Sequence, residues 1–125
     1  MKRMVLALAL LLTASAAQAN EGNAWTASDT ILEVTFVAVL AVDMSQTLWF
    51  TRHTRLEESN PIMGTHPSTA RILTYNAACA ATHATIAYLL PKPYRTIWQA
   101  TWIAVEAQSV GWNWGVVGGF HMALP

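Results

Sequence analysis

Six side chains of this chain have the types and the helical spacing to do chemistry together: Asp43, Gln46, Asn76, His83, Glu106 and Asn113. Asn76 and His83 stand seven residues apart, as do Gln99, Glu106 and Asn113, and at about 100° per residue such repeats fall on one side of a helix. Asp43, Gln46, Thr47 and Phe50 share a side in the same way. A carboxylate beside an imidazole can pass a proton or ligate a cation, and this is the chemistry expected of His83 with Glu106; the plainer alternative is an interhelical hydrogen bond worth about 1 kcal/mol. Asp43 with the amides of Asn76 and Asn113 is either helix glue or the wall of a polar cavity.

A second set lies in the stretch from Arg55 to Ser68: Glu57, Glu58, Asn60 and His66. Asn60-Pro61 demands an extended or turned backbone, Gly64 permits positive φ, and Ser68 is placed to cap a following helix, so most of this loop is explained as a tight re-entry turn. Glu57, Glu58 and His66 are not explained by turning. With Asp43 they suggest a hard-cation or zinc site, although a carboxylate-rich set with one His is a weak metal pattern. No HExxH, GxSxG, P-loop or paired CxxC is present, so no metal or other cofactor is expected and no catalytic residue is assigned.

These groups need long helices to hold them. The 125 residues are 54% hydrophobic and 11% charged, against about 25% charged in soluble domains, which points to a membrane. Mean hydropathy is only +0.31, because polar residues interrupt the apolar runs. Residues 1–19 read as a cleavable signal peptide: Lys2 and Arg3, an apolar run, then Ala17-Gln18-Ala19. A polar lead-in at 20–29 follows, with Ser28 or Asp29 as a helix cap. Three spans are expected at about 30–50, 70–90 and 96–117, each near the ~20 residues that a bilayer core requires. The fold class is therefore all-α, a three-helix transmembrane bundle, with a soluble periplasmic bundle as the structural alternative. Cleavage puts the mature N-terminus in the periplasm. Arg52, Arg55 and Arg71 agree with a cytoplasmic loop at 51–69 and a multi-pass inner-membrane location.

Counted from that loop at about 1.5 Å per residue, Asp43, Asn76 and Asn113 fall within about a turn of one another; His83 and Glu106 lie near mid-depth, and Glu33 and Gln99 near the far interface. Gly111, Gly115 and Gly119 form a small-xxx-small stripe opposite Glu106, which suggests a third span placed centrally or a face for self-association. Zero net charge with scattered Lys and Arg excludes a nucleic-acid footprint. The one cysteine, Cys79, excludes an internal disulfide.

Asp43-x2-Gln46-Thr47, then Glu58-x-Asn60-Pro61-Ile62-x-Gly64-x-His66-Pro67-Ser68, then Leu90-Pro91 with Arg95, Glu106 and Asn113, resembles an uncharacterised group of small multi-span membrane proteins of bacteria and their phages. Met44-Ser45 stands where that group would carry Trp beside the Asp, and the loop ahead of Glu58 is short. The resemblance implies a membrane protein whose polar residues act together, and it brings no reaction. The expectation is an inner-membrane protein with an intramembrane polar site for protons, ions or a small solute. Its partners are then the lipid bilayer and a second copy or another membrane protein. The alternatives are an accessory or regulatory subunit, phage-derived and lysis-related among the options, and a metal-assisted membrane hydrolase.

Overall fold

The structure, a computed structural model, describes residues 23–53 and 56–125. The expected signal peptide at 1–19, the start of the lead-in and loop residues 54–55 lie outside the described residues. Within them the chain is helical and has no strand: α1 is Ala27–His53, α2 is Thr69–Leu89 and α3 is Lys92–Val117.

Local chemistry sets each boundary. Asp29 N donates to Thr26 Oγ1 at 3.4 Å while Thr26 N donates to Asp29 Oδ2 at 2.8 Å. This reciprocal box starts α1 at Ala27, ahead of the cap expected at Ser28 or Asp29. Arg52 and His53 close the helix, where cations favour the dipole. Ser68 caps α2 as expected, its Oγ accepting from Arg71 N at 3.2 Å. Leu90 is extended because Pro91 follows it. The third helix starts at Lys92, four residues before the expected 96, because a proline is at ease in a first turn, where its missing N–H costs nothing. Gly118 ends it in the left-handed region, φ 69°.

The connection from α1 to α2 is a compact turn around Asn60. Its carbonyl accepts from Met63 N and Gly64 N, both at 3.1 Å, and its side-chain oxygen accepts from Ile62 N at 3.0 Å. Gly64 has φ 78°, a conformation that L side chains rarely adopt. Residues after α3 fold back on α1: Ala123 N donates to Ser45 O at 3.0 Å, Arg52 Nη1 donates to Leu124 O at 2.8 Å, and the rings of His121 and Trp49 stack at 4.1 Å. Leu48, Met63 and Ile72 make a small apolar plug at this end.

Each helix packs against both others, and the contact between α1 and α3 is the most extensive. Since α2 returns the chain, α1 and α3 run parallel, and their side-chain partners keep a nearly constant separation: 66 residues for Asp29 and Arg95, 70 for Asp43 and Asn113. Among the described residues eight polar side chains are buried beside seven apolar ones. Asp29, Ser45, Gln46, Thr47, Asn76, His83, Arg95 and Gln99 are buried, while Ile31, Val34, Tyr88, Ile97, Trp112 and Trp114 are exposed. By length and composition α1 is the one described helix apolar enough to cross a membrane. The others fall short because they carry Asn76 and His83, or Arg95, Gln99, Glu106 and Asn113.

Candidate functional site: a polar cavity at the loop end of the bundle

The inward polar groups separate into two tiers. The far tier surrounds the N-terminal ends of α1 and α3. Glu33 Oε1 lies 2.9 Å from His83 Nδ1, and Glu33 Oε2 accepts from Gln99 Nε2 at 3.0 Å. A carboxylate oxygen only accepts, so that imidazole nitrogen carries the proton. Phe36 stacks on the same ring at 3.6 Å, and Trp98 lies 5.6 Å away on another side. The expected partnership of His83 with Glu106 is thus replaced by one with Glu33. α2 packs its His83 level with the upper turns of α1, whereas Glu106 sits two turns further along α3.

One turn nearer the N-terminal ends of α1 and α3 lies a buried ion pair. Arg95 Nη1 is 3.1 Å from Asp29 Oδ2, Arg95 Nε donates to Ala87 O at 2.8 Å, and Nη2 donates to Leu90 O and Asn23 O at 3.1 Å each. The guanidinium also lies 5.1 Å from the Trp25 ring. Burial pushes the Asp29 carboxyl up, but hydrogen bonds from Thr26 and the contact with Arg95 outweigh it and hold the carboxyl below its ordinary range. Three buried atoms here, Asn23 Oδ1, His83 Nε2 and Gln99 Oε1, have no partner among the described residues.

The loop-end tier is open. Asp43, Asn76, Glu106 and Asn113 line one cavity of about 420 Å³ with the loop residues Glu58 and Asn60. Asn113 Nδ2 donates to Asp43 Oδ1 at 2.8 Å and to Gln46 Oε1 at 3.4 Å, and Gln46 Nε2 donates to Val110 O at 3.4 Å. Asn76 Nδ2 turns away to Ile72 O at 2.8 Å. Asn60 Nδ2 donates to Tyr75 Oη at 2.8 Å, and Asn60 N to Glu58 Oε1 at 2.8 Å, which fixes the loop as the cavity's floor. Trp102 and Trp112 supply aromatic walls.

Of the sequence-derived candidates, the structure therefore brings Asp43, Gln46, Asn113, Asn76, Glu106, Glu58 and Asn60 to one place. His83 belongs to the other tier. Glu57 and His66 form an exposed pair at 3.8 Å, and such surface pairs contribute about 0–1 kcal/mol. Among the described residues no group of three or more His, Cys, Asp or Glu could hold a metal ion. Gly111 and Gly115 lie on an open helix face, but Gly119 falls past the end of α3, where a side chain would meet His121. Sequence reasoning named Arg95 within the resemblance and Asp29 only as a candidate cap. The signal was present in the pairs Asp29/Glu33 and Arg95/Gln99, each four residues apart near the start of parallel helices.

No protein-family model, no curated protein and no solved structure matches the chain.

Proposed function

We propose that this is a multi-pass inner-membrane protein, with its mature N-terminus periplasmic and residues 51–69 cytoplasmic, that handles an ion or small solute at the cavity around Asp43. The observation that carries the reading is that cavity itself: three helices aim their polar residues into it, and the Glu58–Asn60 turn floors it. The many buried polar groups and exposed large apolar ones support the membrane setting. Lipid would meet Ile31, Val34 and Ile97, while the groups that make α2 and α3 poor spans by composition face inward, where an ionisable side chain in a bilayer is tolerated. The resemblance through Asp43, Gln46 and the Glu58–Ser68 motif is part of the same proposal. In proteoliposomes, proton or cation flux should fall in Asp43→Asn and Glu106→Gln; flux unchanged in both removes the reading.

A second reading, an accessory or regulatory membrane subunit, is favoured by the α3 face at Gly111 and Gly115, where an added Cβ would meet nothing within 4 Å. Small residues of this kind let helix backbones approach in lipid, either to a second copy or to another protein. Crosslinking that recovers a stoichiometric foreign partner favours this reading, whereas self-pairing that is lost in Gly115→Leu assigns the face to a second copy.

A further inference from the structure

We infer that the cavity binds a small organic cation with an ammonium group, an extension that rests on reading the cavity as a solute site. Its walls carry Asp43, Glu58 and Glu106, and no Lys, Arg or His is among the lining residues. An anion would meet unopposed negative charge. Hydrogen-bonding capacity points the same way. Asn60, Asn76 and Asn113 aim amide N–H groups at Tyr75 Oη, Ile72 O and Asp43 Oδ1 rather than at Glu106. The side-chain oxygen of Asn76, a residue only 7% exposed, has no donor among the described residues, and no described residue donates to Glu106. A carboxylate that no neighbour donates to is complemented by a ligand that brings its own N–H groups.

Size and dispersal separate an organic cation from a metal ion. Hard cations need several oxygens converging at about 2.0–2.6 Å, and no three acidic or His side chains here are grouped to do so. The cavity is of the size that takes organic ligands, roughly 300–1,000 Å³. Trp102 and Trp112 line the cavity, and indole rings attract ammonium groups within about 6 Å of the ring face. A side groove of about 120 Å³ shares Glu58, Ser59, Trp112 and Asn113 with the cavity and adds Val116 and Val117, giving the hydrocarbon part of such a ligand an apolar bed.

The test is calorimetric titration of the full chain in detergent, with protein-free micelles subtracted, using n-butylammonium, 1-butanol, butyrate and potassium as separate probes. Butylammonium should bind at least about tenfold more tightly than butanol or butyrate. Asp43→Asn on α1 and Glu106→Gln on α3 should each weaken it by about tenfold or more, the loss of one charge-assisted hydrogen bond. Having the variants on different helices keeps the test valid if one fails to fold, as judged by circular dichroism. Butylammonium that binds no better than butanol, or equally well in both variants, overturns the inference. If potassium alone gives an Asp43-dependent heat, the ammonium class is wrong while the solute-site reading stands. If no probe does, both fall.

Discussion

At the far end of the bundle Glu33 divides its two oxygens between His83 and Gln99, whereas at the loop end no described residue donates a hydrogen bond to Glu106. Both tiers are made of carboxylates and amides drawn from several elements, and buried Phe36 and Leu40 lie on α1 between them. The difference lies in where donors point. In the far tier Arg95, Gln99 and His83 aim their N–H groups at Asp29 and Glu33, so polar groups tie helices together. In the loop tier the amides of Asn60, Asn76 and Asn113 donate to Tyr75, Ile72 and Asp43, and none of them reaches Glu106. A tier whose carboxylates all receive donors is a clamp; one with a carboxylate left over is a place for a ligand.

This contrast can be broken by substitution. Arg95→Ala should have the largest effect, a loss of about 3–5 kcal/mol in unfolding free energy, because it strands a buried carboxylate. Arg95→Met combined with Asp29→Ala should recover part of that loss, since a buried pair replaced as a unit is far less costly than one broken. Gly64→Ala should cost about 1 kcal/mol: its φ of 78° is strained for any side chain, while the nearest atom to the added Cβ, Arg71 Nη1, is 4.0 Å away and adds no clash. A smaller effect concerns acid. Because the native Asp29 carboxyl titrates below its unfolded value near 3.8, its contribution is complete above that pH and is lost as pH falls through the native value. Thermal unfolding of the parent below about pH 4 should therefore steepen with acid more than that of Asp29→Asn.

The three helices were legible because apolar runs of bilayer length stood between turn residues, and the Ser68 cap and Gly64 turn followed directly from residue type. Seven-residue spacing also marked which polar groups face inward, and so anticipated the convergence of Asp43 with Asn113. Pairing was less legible. Depth counting put His83 beside Glu106, yet a few residues of offset between antiparallel helices suffice to give His83 to Glu33 instead. Arg95 was concealed by its position after Pro91-Lys92-Pro93, which reads as an exposed loop until the prolines are recognised as the opening turn of α3. The glycine stripe shortened for a local reason too: Gly118 turns the chain out of the helix before Gly119.

The most direct test compares two near-isosteric neutralisations, Glu33→Gln and Asp43→Asn, by unfolding of the purified protein in one detergent. An amide at position 33 turns an NH2 toward His83 Nδ1 or Gln99 Nε2, so either a donor faces a donor or His83 moves its proton to the buried, unpartnered Nε2, and this variant should lose about 1–3 kcal/mol. At position 43 the amide oxygen still accepts from Asn113 while its NH2 faces the acceptor-rich cavity, so stability should change by less than about 0.5 kcal/mol or rise, as substitutions at ligand sites often do. If Asp43→Asn costs as much as Glu33→Gln, both tiers are helix clamps and the distinction drawn between them is wrong.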